Sequence, residues 1–252
     1  QDNLIYAYIT TRTDNRVVDF TLTGPVTPVL TGIPKGSTGN TGRIAFGPDG
    51  DLYVGTGDAG RPALAQQPAS LAGKVLRVDP IGDAPKDNPR PGSPVWSSGH
   101  RVVDGLCAAG SALFDVETGA DGAPDEVNRL TAGGDAGYPV PGAASRPPVR
   151  TLSAADSAPG GCAVQQGRLW VTSLDGTALL AAPLSGPATA PAVGPFVPAL
   201  TKRYGRLRTV VAAPDGALWL TTSTRDGHGR PVAADERVIR YVGGGSGESS
   251  PA

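Results

Sequence analysis

The sequence predicts an all-β protein, and three observations point to it. Glycine and proline supply 36 and 25 of the 252 residues, a load that breaks long helices. Short apolar runs of strand length recur along the chain, two of them entered through the same Pro-Asp-Gly turn. No run approaches the roughly 18 uninterrupted apolar residues of a membrane-spanning helix. Length and charge bound the rest. The chain is long enough to bury a substantial core. Its formal net charge of −1 leaves no basic surplus for holding nucleic-acid phosphates.

The elements repeat in order. Leu4-Ile-Tyr-Ala-Tyr-Ile9, Leu52-Tyr-Val54, Leu113-Phe-Asp-Val116, Leu169-Trp-Val171 and Leu218-Trp-Leu220 share one apolar strand pattern, and their aromatic positions are 47, 61, 56 and 49 residues apart. Pro48-Asp49-Gly50 and Pro214-Asp215-Gly216 precede two of them, as hairpin turns in which glycine takes a positive φ at no steric cost. Arg43–Phe46 leads into the first of these turns and Lys74–Asp79 follows as an alternating third strand. Leu207–Ala212, Leu218–Thr222 and Arg237–Val242 repeat that order. Strand, turn, strand, loop, strand at this period is the pattern of propeller blades, which stack because no blade buries both faces alone. Five blades are recognisable, the first without its leading strand. The prediction is therefore a six-bladed β-propeller over residues 1–242, with the N-terminal part of the ring missing from this chain, and a flexible Gly/Ser-rich tail over 243–252. Pro62–Ala72 is expected to form a short helix within a loop. The absence of methionine suggests a processed product or a fragment whose N-terminal portion is not seen.

Candidate functional residues are few. Cys107 and Cys162 each head a short apolar run at the start of a blade's first strand; they read either as two buried thiols or as one disulfide in an exported protein. Two cysteines and two histidines are too few for a zinc site built from those residues alone. Gly55-Thr-Gly-Asp-Ala-Gly60 has dinucleotide-loop spacing, but Pro62 and the all-β surroundings make it a tight loop between strands. His228 sits in a solvated turn, and His100 stands at a strand entrance where a structural hydrogen bond is expected. Asp121–Asn128 carries acids and an amide that suit either a solvated turn or calcium. Arg203, Arg206 and Arg208 precede or enter a strand; Arg206 and Arg208 share a face, either to clamp an anion or to pair with acids.

Several of these residues lie within a wider likeness. Gly42–Gly50, Leu52–Asp58, Ser70–Arg77, Lys86–Pro89, Gly99-His-Arg101, Asp125–Asn128, Gly133-Gly134 and Arg206-Leu-Arg208 resemble the soluble PQQ-dependent aldose sugar (glucose/sorbosone) dehydrogenases. Asn3–Ile9, Thr13–Arg16, Leu30–Lys35 and Gly39–Gly42 are similar to mycobacterial LppZ-type lipoproteins within that family. The resemblance implies a six-bladed propeller, an extracellular or cell-envelope location, and a possible lipid anchor upstream. It also implies a reaction: a histidine base takes the sugar hydroxyl proton while hydride passes to PQQ, which is held by cations and polarised by calcium.

Carried over position by position, the likeness is incomplete. Gly39 stands at the family's histidine position and has no proton acceptor. Val102 replaces an asparagine, and Asp175 replaces a cofactor-binding lysine. Arg101, Arg206 and Arg208 match cofactor-binding positions. Gly119 matches a calcium-binding carbonyl, but Ala120 replaces the next residue, a proline; Glu126 and the carbonyl of Ala136 match a second calcium site. Loss of a general base costs on the order of 10²–10⁴ in rate. The expectation is a retained scaffold without sugar oxidation: an exported domain or envelope lipoprotein binding a small anionic or sugar ligand at its axial face. It would need neither PQQ nor calcium, would bind no nucleic acid, and would meet a membrane only through the upstream anchor. The rivals are an active dehydrogenase, using PQQ and calcium with a base from His100, His228 or an upstream residue, and a structural envelope protein.

Overall fold

The computed structural model describes residues 3–120 and 122–243. Asp121 of the acidic turn, and the predicted tail apart from Gly243, lie outside the described residues. The chain divides into two compact units, Gln1–Thr151 and Leu152–Ala252.

The first unit holds three antiparallel sheets. One contains β1 (Ile5–Thr10), β2 (Asn15–Phe20) and β3 (Thr27–Ile33) in that order. The next is β4 (Gly42–Phe46), β5 (Leu52–Thr56), β6 (Lys74–Val78) and β7 (Val95–Ser98). The third is β8 (Val103–Ala109), β9 (Ala112–Glu117), β10 (Glu126–Leu130) and β11 (Arg150–Thr151). In the second unit, β12 (Pro159–Gln165), β13 (Arg168–Ser173) and β14 (Ala178–Ser185) pair in order, and both β15 (Ala192–Val193) and β16 (Val197–Thr201) pair with β14. The last sheet is β17 (Leu207–Ala212), β18 (Leu218–Thr222) and β19 (Val238–Tyr241). These meanders are propeller blades, and the strands placed by the repeat fall where they were expected. The described residues form five blades, the number recognisable in the repeat and one fewer than the six of the predicted ring. At roughly 50 residues a blade, they have length for no more.

Alternation explains the stacking. On β5, Leu52 and Val54 enter a cluster with Val17, Ile33, Leu76 and Val78, while Tyr53 points the other way to join Val75, Val103, Leu113 and Leu130. The strand is buried on both faces, which stacked blades require and a lone hairpin does not. In the second unit Trp170, Leu179, Leu207, Val210, Leu218 and Leu220 form the corresponding core between two blades. Gly50 and Gly216 both take φ +85° in their Asp-Gly turns.

The expected helix is shorter than predicted. Only Pro62–Gln66 form a 3-10 helix, which Pro62 starts and an extended Gln67 ends. Lys74, fully buried, donates from Nζ to the carbonyls of Leu64 (2.7 Å), Ala65 (2.8 Å) and Ala72 (3.0 Å), tying this segment to β6. Burial pushes its ammonium down to about 8. The cysteines sit within β8 and β12 rather than at strand heads, and both are disulfide-bonded. Disulfides persist in oxidising compartments, outside the reducing cytoplasm. No described helix is long and apolar enough to cross a membrane.

Candidate functional site

The residues singled out in the sequence fall into both units. In the first, Gly39 takes φ +65°, and its carbonyl accepts the Ala59 amide (2.9 Å). A Cβ added there would lie 2.5 Å from Asp58 Oδ1, 2.7 Å from the Gly60 nitrogen and 3.0 Å from the Ala59 nitrogen. The turn over 57–60 therefore packs directly against the position where the resemblance expects an imidazole. Gly57 makes that approach possible from the other side, since a Cβ on it would collide with the Gly39 carbonyl oxygen. Asp58 is buried; its Oδ1 accepts the Gly60 amide (2.8 Å) and its Oδ2 accepts the Tyr138 hydroxyl (2.8 Å). Burial and Asp58 together push the Tyr138 phenol up to about 12. Asn40 turns inward, bonding Gly36 and Asn15, and closes the loop.

His100 is buried and both ring nitrogens are engaged. Nδ1 lies 2.6 Å from Glu117 Oε1 and 3.0 Å from Asp115 Oδ2, and Nε2 lies 2.7 Å from Ser97 Oγ. Burial works against charge on the ring, but Glu117 and Asp115 outweigh it and push the imidazole up to about 10. At neutral pH this ring is a structural imidazolium with no free lone pair to take a proton from a sugar. Asp115 is raised by burial and by Glu117. Glu117 is held below its ordinary value because the imidazolium outweighs burial. His228 is exposed, and its amide donates to Asp226 Oδ1 (3.0 Å).

Neither calcium position implied by the resemblance fits these residues well. The Gly119 carbonyl accepts a hydrogen bond from the Arg101 guanidinium, so a fixed cation already sits on the oxygen that calcium would need. The Gly119 amide donates to Asp125 Oδ1 (2.8 Å). Ala120 follows Gly119 at the end of this stretch. Glu126 is half-buried on β10, raised by burial and by Glu117, its direct cross-strand partner. Ala136 lines a small cavity of about 20 Å³ with Ser97, His100, Asn128, Thr131 and Asp135. Val102 leads from Arg101 into β8 and brings no polar group.

In the second unit, Arg206 Nη1 pairs with Asp175 Oδ1 at 2.6 Å and Nε with Asp226 Oδ2 at 3.4 Å. The acid at the position where the resemblance expects a lysine is thus the ion-pair partner of Arg206. Two acids against Arg206 leave this group anionic, which repels a polycarboxylate. Arg208 is exposed on β17, and the Arg203 guanidinium lies over the Tyr204 ring at 5.2 Å.

Sequence reasoning missed Asp58 with Tyr138, the acids Asp115 and Glu117, and the buried Lys74. One signal was available for the acids: Asp115 and Glu117 alternate within an apolar run whose strand is buried on both faces, so each needs a buried partner. The Asp58–Tyr138 contact joins residues 80 apart and left no local trace.

The comparisons agree with this architecture. Residues 3–231 match the family model described as Glucose / Sorbosone dehydrogenase. Over 95% of this chain and 75% of theirs, the coordinates superpose on the PQQ-bound aldose sugar dehydrogenase of Streptomyces coelicolor, with 41% identity and a TM-score of 0.87. A glucose dehydrogenase-type oxidoreductase from Thermus thermophilus gives 39% identity and a TM-score of 0.88, over 96% of this chain and 79% of that one. Quinoprotein glucose dehydrogenase B of Acinetobacter calcoaceticus is 34% identical over 50% of this chain and 31% of its own length, and aldose sugar dehydrogenase YliI of Escherichia coli is 33% identical over 43% and 31%. The matched stretch therefore spans about a third of these curated relatives. Blades, motifs and matches converge: the chain belongs to the glucose/sorbosone dehydrogenase family.

Proposed function

We propose that this chain is a non-catalytic member of the family, keeping the propeller scaffold and a ligand-binding face while lacking PQQ-dependent sugar oxidation. The observation that carries the reading is Gly39: its side chain cannot accept a proton, and the turn over 57–60 fills the space a larger residue would need. The guanidinium of Arg101 on the Gly119 carbonyl supports it by opposing calcium there, and the pairing of Arg206 with Asp175 supports it by opposing an anionic cofactor. The ligand in this reading is a small sugar or anion, met by Arg101 in the first unit or by Arg206 or Arg208 in the second. A six-bladed ring, five blades of it described here, belongs to the same proposal. So do an extracellular or envelope location, supported by the disulfide, and the lipid anchor suggested by the likeness to LppZ-type lipoproteins.

The second reading, an active PQQ-dependent aldose dehydrogenase, is favoured by the 41% identity to a PQQ-bound relative. Dye reduction with added PQQ, Ca²⁺ and a panel of aldoses on the full-length protein separates the two. No turnover above the protein-free control is expected. Aldose oxidation that disappears in Arg206→Ala would overturn the proposal.

A further inference from the structure

One sheet face of the first unit carries an unusual concentration of ligating groups. Asp115 and Glu117 alternate on β9 and so point the same way; their cross-strand partners on β10 are Asn128 and Glu126. Three carboxylates and an amide thus share one face. His100 is the base set against Asp115 and Glu117. Its single Nδ1–H faces both acids, at 2.6 Å from Glu117 Oε1 and 3.0 Å from Asp115 Oδ2, and cannot be aligned with both.

Two buried oxygens at this spot lack hydrogen bonds. Asp115 Oδ2 has no donor aligned with it, although Nδ1 is 3.0 Å away, and Asp115 is fully buried. Asn128 is 95% buried; its Nδ2 donates to Glu117 Oε1 (2.9 Å), which leaves its own Oδ1 beside the cluster without a partner. Leaving a buried acceptor without a partner is costly, and one group bringing positive charge to both oxygens would relieve that cost.

We infer that His100 Nδ1, Asp115 Oδ2 and Glu117 Oε1 form a binding site for one divalent first-row transition cation of the Zn²⁺ type, with Asn128 Oδ1 as a fourth donor. The three primary donor atoms lie within 4.8 Å of one another, close enough for a single ion to gather them with small side-chain adjustments. A mixed nitrogen and carboxylate set suits Zn²⁺ rather than Ca²⁺, which prefers oxygen alone. The outer contacts are in place. Ser97 Oγ lies on Nε2, the nitrogen left free when Nδ1 ligates, and the Arg101 amide donates to Glu117 Oε2 (2.8 Å). The small cavity lined by His100, Asn128 and Ser97 adjoins the site and has room for a water as a further ligand. Binding replaces the Nδ1 proton by the metal, so one proton leaves for each ion bound. None of its donor atoms is one of the calcium ligands of the resemblance, and it does not depend on whether the chain oxidises sugars.

The test is metal binding by the full chain after chelator treatment and dialysis. Isothermal titration with Zn²⁺ alone, with bound metal counted by mass spectrometry, should give one equivalent that millimolar Ca²⁺ does not displace. Asp115→Asn, which keeps the shape and removes the charge, should weaken binding 100-fold or more. Ser97→Ala should weaken it roughly 10–100-fold through the ring orientation alone. If Asp115→Asn fails to fold, Ser97→Ala decides. No Zn²⁺ bound by the parent, or an equivalent retained unchanged in the variant that decides, would overturn the inference, the latter because the ion then sits on surface groups such as His228.

Discussion

Placing a side chain at position 39 is the most direct way to ask whether the turn over 57–60 leaves room for the histidine that the resemblance expects there. Both Gly39→Ala and Gly39→His add a Cβ that would stand 2.5 Å from Asp58 Oδ1 and 2.7 Å from the Gly60 nitrogen. Both also force a non-glycine residue into φ +65°. A left-handed conformation costs a non-glycine residue about 1–2 kcal/mol. Overpacking against backbone costs roughly 1–3 kcal/mol more, for a total of about 2–5 kcal/mol. At about 2–4 °C per kcal/mol for a chain of this size, Tm should fall by roughly 4–20 °C. Most of that loss should already appear in Gly39→Ala, because the first added carbon causes it. Thermal and urea unfolding of the parent and both variants measure the effect. The reasoning fails if Gly39→His unfolds within about 0.5 kcal/mol of the parent, or if it gains PQQ-dependent sugar oxidation, since the turn would then yield to an imidazole.

Mass spectrometry without reductant should find Cys107 and Cys162 linked to each other, and reduction should lower stability by roughly 4 kcal/mol, the chain-entropy value for closing a loop of this length; two alkylatable thiols in the native protein would contradict this. Lys74 holds its proton only to about 8 when folded but to its ordinary 10.5 when unfolded, so the unfolded chain binds more protons between those values. Its contribution should therefore favour the folded state increasingly as pH rises through that window, seen as a rise in urea midpoint that Lys74→Met lacks. Asp175→Lys breaks the 2.6 Å pair with Arg206 and turns an anionic group cationic. It should cost no more than about 1 kcal/mol, as for a partly exposed ion pair. It should also tighten binding of a tricarboxylate such as citrate on the order of tenfold at low salt, read by titration calorimetry.

The blades were legible because their signals are local. Leu52, Tyr53 and Val54 alternate within three residues, and Asp49-Gly50 and Asp215-Gly216 announce their turns by residue type, so strand identity and order follow from neighbours in the chain. Family membership was legible for the same reason, as a series of short motifs in fixed order. Helix length was overestimated: Pro62 starts a 3-10 turn that the extended Gln67 ends, and the rest of the segment is held by Lys74 reaching back to three carbonyls from the next strand. Candidate site residues could be placed by position, yet their chemistry could not. The glycine at position 39 shows by composition alone that a proton acceptor is absent, whereas the packing of Asp58 and Gly60 against it depends on how two separate loops meet. Whether Arg206 is a free cation or the partner of Asp175, and whether His100 is a base or an imidazolium held by two acids, depends on side chains 31 and 15 to 17 residues away. Sequence alone determined the strands, their order and the residue types available at each position. Tertiary structure alone decided which charges neutralise one another, because the strength of an electrostatic contact depends on distance and burial, and neither is written in sequence spacing.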